Sequence, residues 1–133
     1  MPLITLDTTA REQFIDITSQ FDAILRELHA SDGIAHIFCR HTTAGLTVNE
    51  NADPDVRRDM LLALARIVPE DLDYRHAEGN SPAHVKASLM GCALTLPVSG
   101  GRLSLGRWQG VYFCEFDGPR VRRVVEVTFI AAP

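Results

Sequence analysis

Apolar and polar residues alternate with a period of two in several short stretches of the chain, a pattern typical of half-buried β-strands. The first stretches cover Leu3 to Thr8 and Gln13 to Thr18, and a longer one runs from Ile34 to His41. The C-terminal part of the chain contains the others: Cys92 to Val98, Arg102 to Leu105, Val111 to Phe116 and Val121 to Ile130. The pattern therefore predicts a strand-rich protein.

Other stretches carry apolar residues at helical spacing. Ser19 and Asp22 resemble a capping pair, and the apolar positions after them predict a helix that ends at Asp32-Gly33. A second helix is predicted to begin with Asp53 as its N-cap and Pro54 in its first turn, and to end before Pro69. Its expected buried stripe comprises Val56, Met60, Ala63, Leu64 and Ile67.

A short third helix is predicted from Ser81-Pro82 to about Met90, with Val85 and Leu89 facing the core. Strands outnumber helices and do not alternate with them as a parallel doubly wound sheet requires. With 133 residues, the chain is long enough for one core. We therefore expect a single α+β domain over residues 1–133, a compact sandwich of mostly antiparallel strands with two or three helices.

A polar segment from His41 to Pro54 lies between the third strand and the second helix. Burying its imidazole, hydroxyls, amides and carboxylates is unfavourable unless hydrogen bonds, a metal or a ligand compensates. The segment also precedes a helix N-terminus, which favours an anion. We interpret it as a site whose candidate residues are His41, Asn49, Glu50, Asn51 and Asp53. Asp53 has a simpler explanation as a helix cap, and the asparagines could cap a turn instead of orienting a ligand.

Composition and charge narrow the classes of partner. The net charge is −4 and the basic residues are spread along the chain, which disfavours nucleic acid. No apolar run approaches the length of a membrane span, so we expect no membrane association and a cytoplasmic location. Cys39, Cys92 and Cys114 form no CxxC pair and are expected in the core. Lys86 is the only lysine, against twelve arginines.

Three histidines are candidate metal ligands, because neutral imidazoles suit zinc and related ions. His41 follows a strand, His76 lies in an irregular stretch, and His84 shares one side of the third helix with Ser88. The alternative is that they are polar pocket residues or hydrogen-bonded core histidines. His29 and His36 are expected to be structural.

Further residues in the C-terminal part carry two interpretations each. Trp108 either stacks on a heteroaromatic ring or packs. Arg120, after the turn at Asp117-Gly118-Pro119, is a candidate phosphate ligand, whereas Arg122 and Arg123 are expected on a solvated strand. Glu115 lies in an apolar stretch and, if buried, needs a partner such as an arginine, so a structural ion pair competes with an acid–base role.

Several motifs together resemble the YjbQ-like family, commonly labelled secondary thiamine-phosphate synthases. They are His41-Thr42-Thr43-Ala44, Asn49-Glu50-Asn51, Asp53-Pro54, Pro82-Ala83-His84 with Lys86 and Ser88, Gly106-Arg107-Trp108-Gln109, and Asp117-Gly118-Pro119-Arg120. The match runs in order from about residue 3 to 128. Arg107 departs from the small hydroxyl residue often found before Trp-Gln in the family. The resemblance implies an α+β sandwich, a homotrimer and a polar pocket with clustered histidines.

The functional expectation combines these observations. We expect a metal-assisted enzyme acting on a small phosphorylated substrate, with the thiamine-phosphate synthase-like transferase activity that the resemblance implies. His41, Glu50, Asn51 and Asp53 would be catalytic, and Asn49, Ser88, Trp108, Gln109 and Arg120 would bind substrate. His41, His76 and His84 would hold a divalent ion, zinc or magnesium. The alternatives are a metal-dependent hydrolase and a non-catalytic ligand-binding or assembly protein.

Overall fold

The fold is an arrangement of two antiparallel sheets and three helices, seen in a computed structural model that describes residues 2–133. The described residues form eight strands and three helices. In chain order these are β1 (Leu3–Leu6), β2 (Gln13–Asp16), α1 (Thr18–Glu27), β3 (Gly33–Cys39), β4 (Ala44–Glu50), α2 (Pro54–Ile67), α3 (Ser81–Met90), β5 (Ala93–Ser99), β6 (Arg102–Leu103), β7 (Gln109–Glu115) and β8 (Arg123–Ala131). The predicted α+β class is confirmed.

The five-stranded sheet has the order β1-β8-β3-β5-β6, and the three-stranded sheet has the order β2-β7-β4. Alternation along β7 explains how the smaller sheet is buried on both faces. Val111 and Phe113 belong to the core shared with the larger sheet and α1, whereas Tyr112 and Cys114 pack with Leu64 and other side chains of α2 and α3. The helices α2 and α3 therefore cover the outer face of the smaller sheet.

The polar segment contains a strand that is not among the predicted elements. Seven residues, Ala44–Glu50, form β4 and pair with β7 along their whole length, from Ala44 opposite Glu115 to Glu50 opposite Gln109. Leu46 is fully buried, and Val48 packs against the same core. This period of two is the sequence feature that could have identified the strand.

Two predictions for α1 and α2 need correction, and one is confirmed. Ser19 is not the cap of α1: the helix begins at Thr18, whose N–H and hydroxyl both donate to the Asp16 carboxylate. In the expected stripe of α2, Leu64 is buried but Ala63 and Ile67 are exposed. The Asp53 cap is confirmed, since its side chain accepts the Asp55 N–H at 2.9 Å.

In α3, the side facing the core is not the predicted one. The bounds Ser81–Met90 agree with the prediction, but Val85 is 43% exposed and Leu89 is 54% exposed. Ala83, Lys86 and Ala87 are buried instead. Small side chains on this face let the helix approach the smaller sheet closely.

The cysteines and the helix lengths give two further results. Cys39 and Cys114 are buried as expected, but Cys92 is exposed because it follows α3 at the surface. No helix within residues 2–133 is long and apolar enough to cross a membrane. The cytoplasmic location stays a prediction.

Candidate functional site

A pocket of about 490 Å³ lies between the loop that joins β3 to β4 and the C-terminal half of α3. Its polar lining includes two of the predicted site histidines and two hydroxyl side chains. The lining residues are His41, Thr42, Ala44, His84, Ala87, Ser88, Gly91 and Cys92. The volume is in the range of small-ligand sites.

Gly45 allows α3 and β4 to come close enough to form this pocket. A Cβ at position 45 would lie 2.8 Å from the Gly91 carbonyl oxygen and 3.0 Å from the Met90 Cβ. Two backbone hydrogen bonds hold the segment after the helix: the Leu46 N–H donates to Gly91 O at 3.0 Å, and the Cys39 N–H donates to Cys92 O at 2.7 Å. One wall of the pocket is thereby attached to both β3 and β4.

His41 has a fixed orientation and proton arrangement. Its Nε2 atom accepts the Val124 N–H at 2.9 Å, so the neutral ring carries its proton on Nδ1. Burial lowers the pKa of His41, and the positive charge of Arg123 lowers it further, while Glu115 opposes the shift. His41 is therefore a neutral N–H donor at pH 7.

A buried ion pair supports the strand ends beside His41. Arg123 and Glu115 form a salt bridge, with side-chain exposures of 8% and 0%. The Arg123 guanidinium also donates to the Thr43 hydroxyl at 2.9 Å, and the Thr8 hydroxyl donates to Glu115 Oε2 at 2.8 Å. These contacts connect the starts or ends of β1, β4, β7 and β8 around one pair of charges.

The pKa of Glu115 reflects this arrangement. Burial by itself would raise it, but hydrogen bonds from Arg123, the Asp117 N–H and Thr8, with the Arg123 charge, outweigh burial and lower it. The expectation that Glu115 needs an arginine is confirmed. The expectation that Arg123 lies on a solvated strand is wrong, because Arg123, Val125 and Val127 share the buried face of β8. That shared parity was the sequence feature that could have found it.

His76 and His84 lie beside each other at the outer end of α3. Their ring centroids are 5.2 Å apart in an edge-to-face arrangement. His84 lines the pocket with His41, whereas His76 lines a separate depression with Tyr74, Ser81, His84 and Val85. Of the three predicted metal ligands, His84 thus borders both surfaces, whereas His41 borders only the first and His76 only the second.

The predicted three-histidine metal site does not form. Within residues 2–133, no group of three or more His, Cys, Asp or Glu side chains is arranged to hold a metal ion. The Nε2 lone pair of His41 is occupied by the Val124 N–H. A neutral His41 consequently has no free lone pair for a metal.

The other predicted catalytic residues lie at the opposite end of β4. A seven-residue strand is about 20 Å long, which separates them from His41. Asn51 donates through Nδ2 to Asp16 Oδ2 at 2.9 Å, and Glu50 accepts the Asp53 N–H at 3.3 Å. Asn49 accepts the Glu50 N–H at 2.7 Å through its own side chain. The Asn49 and Glu50 contacts are local turn and cap interactions, whereas the Asn51 contact ties the end of β4 to the end of β2.

The remaining predicted substrate ligands also lie away from the pocket, apart from Ser88. Gln109 is opposite Glu50 and accepts the Gly106 N–H at 2.8 Å. Trp108 is 54% exposed, with the Arg107 guanidinium 4.8 Å from its ring centroid. Arg120 donates to the Asp117 carboxylate at 3.0 Å. Tertiary structure therefore selects His41, His84 and Ser88 from the predicted set.

The family of this chain follows from comparison with known proteins. The family model described as "UPF0047 protein YjbQ-like" matches residues 3–132. The chain belongs to this family. The UPF0047 protein YugU of Bacillus subtilis is 52% identical over 121 residues, which are 90% of this chain and 91% of that protein. A UPF0047 protein of Methanocaldococcus jannaschii is 47% identical, covering 88% of this chain and 85% of its own length.

Solved structures of YjbQ-like proteins have the same fold. An uncharacterized conserved protein of the YjbQ/UPF0047 family from Clostridium acetobutylicum has a TM-score of 0.94 and 52% identity, over 98% of this chain and all of that chain. A YjbQ-like protein of unknown function from Sulfolobus solfataricus has a TM-score of 0.93 and 28% identity, covering 98% and 96% of the two chains. Both the family and the fold expected from the motifs are confirmed.

The expected function is contradicted by these findings. The relatives are named only as UPF0047 proteins, and the solved structures are described as uncharacterized or of unknown function. Because residues 2–133 also contain no group of side chains arranged to hold a metal ion, a metal-assisted, thiamine-phosphate synthase-like transferase is left without support. The alternative of a metal-dependent hydrolase lacks support for the same reason, since it would use the same three histidines to hold the metal.

Proposed function

We propose that this YjbQ-like protein binds a small phosphorylated molecule in the pocket between the β3–β4 loop and α3, with the phosphate held directly by protein side chains. The observation that carries the proposal is the set of hydrogen-bond groups on the lining: His41, Thr42, His84 and Ser88. No carboxylate of residues 2–133 belongs to this lining. Donors without acidic neighbours favour an anion.

The orientation of His41 supports the same conclusion. Because the Val124 N–H occupies Nε2, the Nδ1–H is the group that His41 can offer to a ligand. His84 and Ser88 are four residues apart on α3 and present their side chains on one side of the helix. A phosphate has enough acceptor oxygens to bind donors from both walls at once.

Calorimetric titration with inorganic phosphate and with glycerol phosphate tests the proposal. We expect saturable binding in this pocket, and about a hundredfold or more weaker binding there in a His84→Gln, Ser88→Ala double variant, since each hydrogen bond to a charged group contributes on the order of 1.5–3 kcal/mol. The matched control is His36→Gln, Ser99→Ala, which changes a histidine and a serine on the larger sheet. Equal affinity in the two double variants, or no binding to the wild-type chain, would overturn the proposal.

A further inference from the structure

A second pocket, which shares no lining residue with the first, is lined mainly by basic side chains. It has a volume of about 550 Å³ and lies between the end of α1 and the turn that joins β5 to β6. Its lining consists of Arg26, His29, Ala30, Gly100, Gly101 and Arg102. None of the motifs discussed above includes these residues.

The two arginines of this pocket have no acidic partner. Neither guanidinium forms a salt bridge or hydrogen bond with a carboxylate of residues 2–133, whereas Arg11, Arg40 and Arg123 each do. The chain carries a net charge of −4, so an excess of basic residues does not force two unpaired arginines together. The two guanidinium groups therefore place positive charge at one pocket that a bound anion would neutralise.

Two acidic residues nearby, Asp22 and Asp32, are engaged with backbone groups. Asp22 is four residues before Arg26 on α1, a spacing that favours an ion pair, but its carboxylate accepts the Leu103 N–H at 3.0 Å. The Asp32 carboxylate accepts the Gly100 N–H at 2.8 Å. Both contacts hold the β5–β6 turn against the end of α1 and leave the guanidinium groups available.

The backbone around the pocket is tightly packed and partly strained. His29 has a φ of 52°, a left-handed conformation that is uncommon for a residue with a side chain. Gly101 has a φ of 79°, and a Cβ there would lie 2.7 Å from the Ala30 carbonyl oxygen. The pocket walls are thus held in contact at their base, while a Cβ at Gly100 would meet nothing within 4 Å.

The geometry points to a second binding site, for a small molecule that carries a phosphate group, with Arg26 and Arg102 as its charged ligands and His29 as a further hydrogen-bonding group. Planar guanidinium groups bind phosphate oxygens in pairs, and two of them from different elements can hold one phosphate from two sides. This site is separate from the pocket at His41 and His84, and it does not depend on the function proposed there.

The test is a titration of isotope-labelled full-length protein with inorganic phosphate and then pyrophosphate, followed by backbone amide NMR. We expect saturable shifts at Ala30, Gly100 and Gly101. An Arg26→Gln, Arg102→Gln double variant should weaken the affinity read from these shifts by about a hundredfold or more, which corresponds to the loss of two charge-assisted contacts. The charge-matched control, Arg66→Gln with Arg75→Gln, removes two other arginines and should leave the affinity within about twofold.

The outcomes separate this proposal from its competitors. Shifts confined to Thr42, Gly91 and Cys92 would place phosphate in the first pocket only and overturn the second site. Equal weakening in the two double variants would mean a general charge effect, and would overturn it as well. If phosphate shifts neither pocket while the Arg26→Gln, Arg102→Gln variant alone changes its sedimentation, the arginines bind acidic groups of a second copy and the proposal is wrong.

Discussion

His41 shows how neighbouring groups turn a predicted metal ligand into a hydrogen-bond donor. The residue was expected to bind a metal, but the Val124 N–H occupies Nε2 and leaves an N–H donor on the other side of the ring. The buried Arg123, which precedes Val124 in the chain, adds a positive charge that disfavours the imidazolium form of His41. The same residue therefore fits an anion better than a cation.

The lowered pKa of His41 predicts how stability depends on pH. Because the folded-state pKa lies below the unfolded value of about 6.5, the unfolded chain binds more protons in this range. Stability is then full above about pH 6.5 and is lost as the pH falls through the folded pKa. We expect the drop in unfolding free energy between about pH 7.5 and 5.5, measured by urea denaturation, to be smaller in His41→Gln than in the wild type.

Two comparisons make this pH prediction specific. His36→Gln should retain the wild-type drop, because His36 lies on β3 with its ring against the Thr95 hydroxyl and has no contact with the ion pair. Carboxyl groups titrate mostly below this window. If the unfolding free energy of the His41→Gln protein fell by as much as that of the wild type, the hydrogen bond from the Val124 N–H to His41 would be contradicted.

Among the elements, β4 is the one that divides the predicted site. Its N-terminal end brings the β3–β4 loop to α3, and its C-terminal end leads to the Asp53 cap of α2. Residues that are neighbours in a polar segment are therefore placed at the two ends of an extended strand. Proximity in sequence did not predict proximity in space.

The close packing of α3 on β4 predicts a strong effect of Gly45→Ala. The added methyl group would meet backbone atoms of Gly91 and the Met90 side chain, which have little room to move. We expect a loss of about 1–3 kcal/mol in unfolding free energy and weaker phosphate binding in the first pocket. Gly106→Ala is the control, since a Cβ there meets only the flexible Gln109 side chain. Equal stability of the two variants would show that α3 is not so constrained.

At the scale of the whole molecule, the two sheets share one core and the helices α2 and α3 cover the outer face of the smaller sheet. This covering leaves apolar side chains exposed on and beside those helices. They are Leu62, Ile67, Leu72, Val85 and Leu89. Apolar side chains exposed on this face are available for contact with another chain.

We expect the protein to be a homotrimer, as the family resemblance implies. Sedimentation equilibrium should give three times the chain mass. Ile67→Asp, at a position 65% exposed on α2, should shift the population toward smaller species, because it would place a charge in an apolar contact. Val121→Asp changes a more exposed side chain outside α2 and α3 and should leave the trimer intact. A monomeric wild-type chain would contradict this prediction.

The sequence by itself determined the elements and the family. Periodicity identified most strands and all three helices, Asp53 and Pro54 marked the start of α2, and the motifs indicated the YjbQ-like fold. These features are local, since they depend on spacing along the chain and on the conformational preferences of particular residues.

Only the tertiary structure decided which polar residues meet. The salt bridge of Arg123 with Glu115, the separation of His76 from His41, and the pocket of Arg26 and Arg102 all join positions far apart in sequence or divide positions that seemed alike. Strand pairing and helix packing set those distances. The pattern of residues along the chain does not contain these distances, because each distance depends on how separate elements lie against one another.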